Sequence, residues 1–249
     1  MKFGVLGPLM LDNNEDTSCV PTAPKARHLL TLLMINANQI VSVDTCVDEL
    51  WQSAPPRSAV SVLQTYVLQI RRLLRAADAQ EILVTHNRSY QLLVPAASFD
   101  RAVFASTTGR ARAAVLRTDD RVAADLFDSA LNLWRGPAMA DIPDGPIIAV
   151  HRIELEELRF GAMEQRGEAY LRLGRHRELL ADLRALAGTY PLRENVQAQL
   201  MVALYRSGRR AEAIGTFDRL RGLMGKEFGL DPVPRMQRLY QAIRHRLYA

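Results

Sequence analysis

Ser61, Gln64, Thr65, Leu68 and Arg72 recur at intervals of three and four residues, with Arg71 and Arg75 beside them. On a helix that spacing gathers them on one face. The residue types are those that read a nucleic acid. A glutamine pairs with adenine, an arginine with guanine or a phosphate, and Thr65 and Leu68 suit a thymine methyl in the major groove. The opposite positions, Leu63, Tyr66, Val67, Ile70, Leu73 and Leu74, are apolar and form a core face. Between Arg57 and Ala77, Arg57, Arg71, Arg72 and Arg75 meet no acidic residue. A solvated face of an ordinary helix has the same pattern, so the neighbouring elements decide between the two readings.

Those neighbours favour the groove. Ile82–Thr85 and Tyr90–Val94 read as two strands flanking His86-Asn87-Arg88-Ser89, a hairpin with a basic tip. Arg88 at the tip is placed to reach a minor groove or a phosphate. Upstream, a helix begins at Pro24 with Leu29, Leu30, Leu32, Leu33 and Ile35 and stops near Asn36-Ala37-Asn38. Lys25 and Arg27 fall in its first turn, where the helix dipole disfavours cations, and so point to a phosphate or carboxylate partner. Ser42 caps a second, short helix closing at Leu50-Trp51, and Pro55-Pro56 forces a turn before the long helix from about Arg57 to Ala77. The first residues, Phe3–Leu6 and Leu9–Leu11, read as short strands with a polar turn at Asp12-Asn13-Asn14-Glu15. Strands, three helices and a hairpin are the order of a winged helix, with Pro95-Ala96-Ala97 as its boundary.

Enzymatic constellations are absent from the sequence. Gly222–Glu227 has the wrong glycine spacing for a phosphate loop. The five histidines are scattered away from metal-ligand spacing. Asp119-Asp120, Glu154 and Glu156-Glu157 read as solvated helix faces. No cofactor and no catalytic residue is expected.

From Phe99 onward the chain reads as amphipathic helices. Leu173-Gly174-Arg175 realigns with Ser207-Gly208-Arg209 at an offset of 208 − 174 = 34 residues. At that offset Glu178 meets Glu212, Leu180 meets Ile214, Leu183 meets Phe217 and Leu186 meets Leu220. A 34-residue period with glycine at the inter-helix turn is the tetratricopeptide pattern, in which helix pairs bury their apolar faces by stacking. Ala123–Trp134 reads as an earlier helix of the array, and Pro234–Leu247 as a final capping helix.

The fold expected is an α+β N-terminal winged helix over residues 1–97, followed by an all-α tetratricopeptide-like domain over residues 98–249. The first segment is expected to fold and bind DNA alone. Net charge is +5, yet residues 1–97 carry eight basic and eight acidic side chains, so the surplus lies in the helical half. No apolar run reaches membrane-spanning length and the N-terminus lacks a signal-peptide pattern, which leads to the expectation of a cytoplasmic protein without a membrane partner. Cys19 and Cys46 stand apart, without the spacing of a zinc or redox pair.

Taken in order, Phe3–Leu9, Pro24–Arg27, Val41–Asp44, Leu63–Val67, Arg71–Leu74, Leu133–Gly136, Leu173–His176, Tyr190–Glu194, Ala203–Arg209 and Gly229–Pro232 resemble the SARP regulators, the antibiotic regulatory proteins of actinomycetes. The resemblance implies an OmpR-type winged helix joined to a bacterial transcriptional activation domain. It also implies binding to direct repeats in double-stranded DNA upstream of biosynthetic promoters, with a second copy bound alongside. RNA polymerase holoenzyme would be recruited through its sigma factor and alpha subunit. One departure stands out: Ser89 precedes the wing Tyr90 where the family usually has glycine.

Overall fold

The computed structural model describes residues 1–13 and 19–245. Asn14, Glu15 and Leu247, at the ends of two expected elements, lie outside the described residues. The chain forms two compact units, Met1–Gly109 with Ser129–Phe160, and Arg110–Asp128 with Gly161–Ala249.

In the first unit, β1 (Lys2–Gly4) pairs antiparallel with β2 (Met10–Asp12), Phe3 opposite Leu11. Helix α1 (Pro24–Ile35) starts on a proline, whose missing N–H is one the first turn leaves unbonded anyway. From His28 to Ile35 every residue of α1 is buried, which is why the segment reads as apolar all round. Helix α2 (Val43–Trp51) is capped as its sequence indicates, Ser42 Oγ accepting from the Thr45 N–H at 2.9 Å. After Pro55-Pro56, helix α3 (Ala59–Ala76) buries Leu63, Val67, Ile70 and Leu74. The wing is β4 (Leu83–His86) paired with β5 (Ser89–Leu92), joined by the two residues Asn87 and Arg88. A third strand, β3 (Ile40–Ser42), adds to the other edge of β5, giving the order β3-β5-β4. This strand carries no signal in the sequence: three residues are too few to show a period, and pairing with a segment some fifty positions later defines it. Asn38 fixes the junction at φ 67°, donating to the Val94 carbonyl at 2.9 Å and accepting from the Val94 N–H at 3.0 Å.

Residues beyond 97 complete this unit. Phe99 bridges Phe3. Asp100, which opens α4 (Asp100–Leu116), accepts from the Val5 and Leu6 N–H groups at 3.0 and 3.1 Å and pairs with Arg135 at 3.0 Å. The Leu9 N–H donates to Asp141 at 2.7 Å. Glu49 is 1% exposed on α2 and accepts from the Ile147 N–H at 2.7 Å and the Ile148 N–H at 3.1 Å, at the start of α6 (Pro146–Arg172). A carboxylate there satisfies first-turn donors and faces the positive end of the helix. Its Oε1 also lies 3.1 Å from Nε2 of the buried His28. Gly145 allows this approach, since a Cβ at that position would stand 2.2 Å from Glu49 Oε1 and 2.6 Å from its carbonyl oxygen. The boundary expected at residue 97 therefore falls inside a compact unit, and a fragment ending there loses acceptors and donors that the winged helix needs.

The second unit contains most of α5 (Asp120–Leu131), the rest of α6, and α7 (Leu180–Thr189), α8 (Glu194–Arg206), α9 (Arg210–Phe228) and α10 (Pro234–Arg244). The 34-residue repeat is reproduced atom by atom at its turns. Gly174 and Gly208 adopt φ 74° and 78°, the left-handed conformation that ends a helix at little cost only for glycine. The Arg175 N–H donates to the Tyr170 carbonyl and the Arg209 N–H to the Leu204 carbonyl, both at 2.9 Å. Arg175 then grips Glu178 with two hydrogen bonds at 2.8 and 2.7 Å, and Arg209 grips Glu212 likewise at 2.6 and 2.8 Å. Leu183 and its counterpart Phe217 are buried, and Tyr240 of α10 stacks on Phe217 at 4.3 Å. Among the described residues no helix is long and apolar enough to cross a membrane.

Cys46 lies fully buried on α2. Burial, with the Glu49 carboxylate nearby as a lesser cause, pushes its thiol up to about 12. Thiolate is the reactive form, so Cys46 should resist iodoacetamide at pH 8 in the native protein and react at the rate of a free thiol in denaturant. Rapid native alkylation at Cys46, located by mass spectrometry, would contradict this packing.

Candidate nucleic-acid interface

Helix α3 separates its two faces as the spacing requires. Ser61, Gln64, Thr65, Leu68, Arg72 and Arg75 are all exposed, opposite the buried stripe from Leu63 to Leu74. Leu68 is 54% exposed and gives this face an apolar contact surface among its polar side chains. Thr65 Oγ1 donates back to the Ser61 carbonyl at 3.1 Å. No hydrogen bond or ion pair within the described residues engages Arg72 or Arg75, so both guanidinium groups are available to an anion. Exposed Arg57 and Val60 extend the surface at the N-terminal end.

Four of the sequence-selected cations meet partners within the protein, and three of them, Arg71, Lys25 and Arg27, are half-buried. Arg71 Nη2 donates to the Leu83 carbonyl at 3.2 Å and to Thr85 Oγ1 at 2.5 Å, so it braces the wing against α3. Lys25 donates to the Leu50 carbonyl at the C-terminal end of α2 and lies 5.5 Å from the Trp51 ring centre. There it meets the negative end of a helix dipole. Arg27 forms an ion pair with Asp141. The carboxylate alternative for the first turn of α1 is thus realised within the chain. Glu49, Asp100 and Asp141 carried no signal in the sequence, because each is matched to donors far along the chain.

Arg88 sits at the wing tip, 71% exposed, 3.1 Å from Asp44, itself 76% exposed. A pair so open to water adds little to stability and separates readily. The left-handed residue of the turn is Arg88, at φ 48°, while Ser89 lies in β5. The missing glycine therefore leaves no strain at position 89; the turn places it on Arg88 instead.

A paired wing beside a helix with an exposed polar and basic outward face is the arrangement of a winged-helix DNA-binding domain, and a helical-repeat unit follows it in the sequence. Comparison with known proteins agrees. Residues 16–92 match the family described as transcriptional regulatory protein, C terminal, and residues 99–244 match the bacterial transcriptional activator domain. The chain belongs to the SARP family. It is similar to the regulatory protein DnrI of Streptomyces peucetius, with 40% identity over 98% of this chain and 92% of that protein. It is also similar to the regulatory protein AfsR of Streptomyces coelicolor, with 35% identity over 98% of this chain, which spans 24% of that longer protein. The solved structure of Mycobacterium tuberculosis EmbR in complex with a low-affinity phosphopeptide superposes with a TM-score of 0.91 at 31% identity, covering 98% of this chain and 65% of that one. The protein is a DNA-binding transcriptional activator of this type.

Proposed function

We propose that the protein binds direct repeats upstream of biosynthetic gene promoters as two head-to-tail copies and recruits RNA polymerase holoenzyme through its sigma factor and alpha subunit. The exposed face of α3 carries this reading. Gln64 and Thr65 read base edges, Leu68 packs on a thymine methyl, and Ser61, Arg72 and Arg75 hold the backbone. Arg88 reaches the adjacent minor groove or its phosphates once it leaves Asp44. Arg71 acts by positioning the wing, and Lys25 and Arg27 by holding α1 in place. DNA recognition resides in residues 1–97 and recruitment in residues 98–249, even though folding joins part of the second segment to the first. The protein acts in the cytoplasm, on the nucleoid.

Direct repeats require protomers on one face of the duplex, spaced by about one helical turn. A head-to-tail contact is heterologous and weak off DNA, so sedimentation should find a monomer or a loose dimer in the absence of DNA. A tight symmetric dimer with an inverted-repeat footprint would overturn the arrangement. In vitro transcription with purified polymerase tests recruitment: at saturating operator occupancy the full chain should activate. Activation that survives removal of the helical repeats, with operator occupancy matched, would assign recruitment to the winged helix instead.

A further inference from the structure

The second unit contains a groove of about 540 Å³ between α6, α8 and α10. Its floor is apolar, formed by Leu171, Val202 and Leu239, while Arg172, Arg206, Arg235 and Arg238 surround it. Two of these arginines are held from within: Arg172 pairs with Asp120 at 2.7 Å and lies 3.7 Å from Glu168, and Arg206 donates to the Leu171 carbonyl at 2.6 Å. Arg235 and Arg238 differ. Both are exposed, one helical turn apart on α10, and no hydrogen bond or ion pair within the described residues engages either. Between rim and floor lies Gln199, only 6% exposed. Its Nε2 donates to the Glu164 carbonyl at 2.9 Å, but its Oε1 is buried with no partner. A buried acceptor without a donor is uncommon, and this one packs against Gly167 of α6, where a Cβ would stand 2.2 Å from it.

We propose that this groove binds an acidic amphipathic peptide segment of a protein partner. Apolar side chains of the segment cover Leu171, Val202 and Leu239, and its carboxylates meet Arg235 and Arg238. A DNA backbone would satisfy the arginines but leave the apolar floor uncovered, so the floor favours protein. The inference rests on the reading that the helical repeats recruit a protein partner, and it names the surface that does so.

The test uses the full chain and a fluorescein-labelled helical peptide about five turns long, with leucine on one face and glutamate on the other. Fluorescence anisotropy should show saturable binding that weakens with added salt. The same peptide with lysine in place of glutamate should not bind. The double substitution Arg235→Ala/Arg238→Ala should weaken binding roughly tenfold, as expected when two charge-assisted contacts are lost. Ala198→Trp, which fills the groove without altering its charge, should abolish binding, and helical circular dichroism and operator affinity should match the parent in both variants. Equal binding of the lysine peptide, or affinity unchanged in the double variant, would overturn the proposal. Displacement of the peptide by duplex DNA lacking the operator would overturn it too, with the groove then a phosphate-binding surface. Transcription in vitro separates the two levels: if recruitment needs the helical repeats while the groove variants activate normally, the groove assignment fails and the recruitment reading stands.

Discussion

Replacing Glu49 by alanine should lower the stability of the first unit by about 3–5 kcal/mol, as removal of one member of a buried, hydrogen-bonded charged cluster does. The Ile147 and Ile148 N–H groups and His28 would all lose the acceptor that the buried carboxylate provides. Burial by itself would push the Glu49 carboxyl up. Hydrogen bonds from His28, Ile147 and Ile148, together with the charge of His28, outweigh burial and hold it below the usual carboxylate range. A carboxyl with a depressed value in the folded state adds stability that is fully present above its unfolded value, about 4.3 for glutamate. That contribution is lost as pH falls through the lower folded value. Urea denaturation should therefore show the parent well above Glu49→Gln at pH 6 to 8, with the two converging below about pH 4. A gap that stayed constant down to pH 3 would mean that the charge of Glu49 is not what α6 requires.

A fragment ending at residue 97 should be too unstable to show a cooperative melt. It keeps every helix and strand of the winged helix but loses Asp100 from the Val5 and Leu6 N–H groups, Asp141 from Leu9 and Arg27, and the donors that satisfy Glu49. Each hydrogen bond exchanged for water costs about 0.5–1.5 kcal/mol, and the apolar surface that the later residues cover adds to it. Their sum is comparable to the 5–15 kcal/mol that typically holds a whole domain together. Operator DNA should restore part of the structure, since binding stabilises only the folded form. Circular dichroism melts of the fragment with and without duplex would show this. A fragment that melts alone as sharply and as high as the full chain would show that these contacts are dispensable.

The sequence carried the local half of this architecture. Helical spacing from Leu63 to Leu74 located α3 and its outward face, Ser42 announced α2, and the glycines at 174 and 208 announced the repeat. Each of those signals lies within one turn or one period of the chain. What remained hidden depends on distant pairing: β3 exists because β5 returns to it, and Glu49 is buried because Ile147 and Ile148 need an acceptor. Arg71, Lys25 and Arg27 were legible as cations on the right elements. Whether a cation meets a phosphate or an internal acceptor, however, is decided by which carbonyl or carboxylate the fold brings near. Arg71 meets Thr85 and Leu83, and Arg27 meets Asp141, partners that no charge pattern along the chain announces.

The exposed face of α3 as the reader of DNA is tested most directly by measuring duplex affinity against salt for the parent, Gln64→Ala and Arg72→Ala, on the operator and on a single-base variant set. Gln64→Ala should weaken operator binding by about 1–3 kcal/mol and relax discrimination at one base pair while leaving the salt slope intact. Arg72→Ala should weaken binding to all sequences alike and reduce the slope by about 1. If both variants bind every duplex with the parent's affinity and slope, α3 does not lie in the groove.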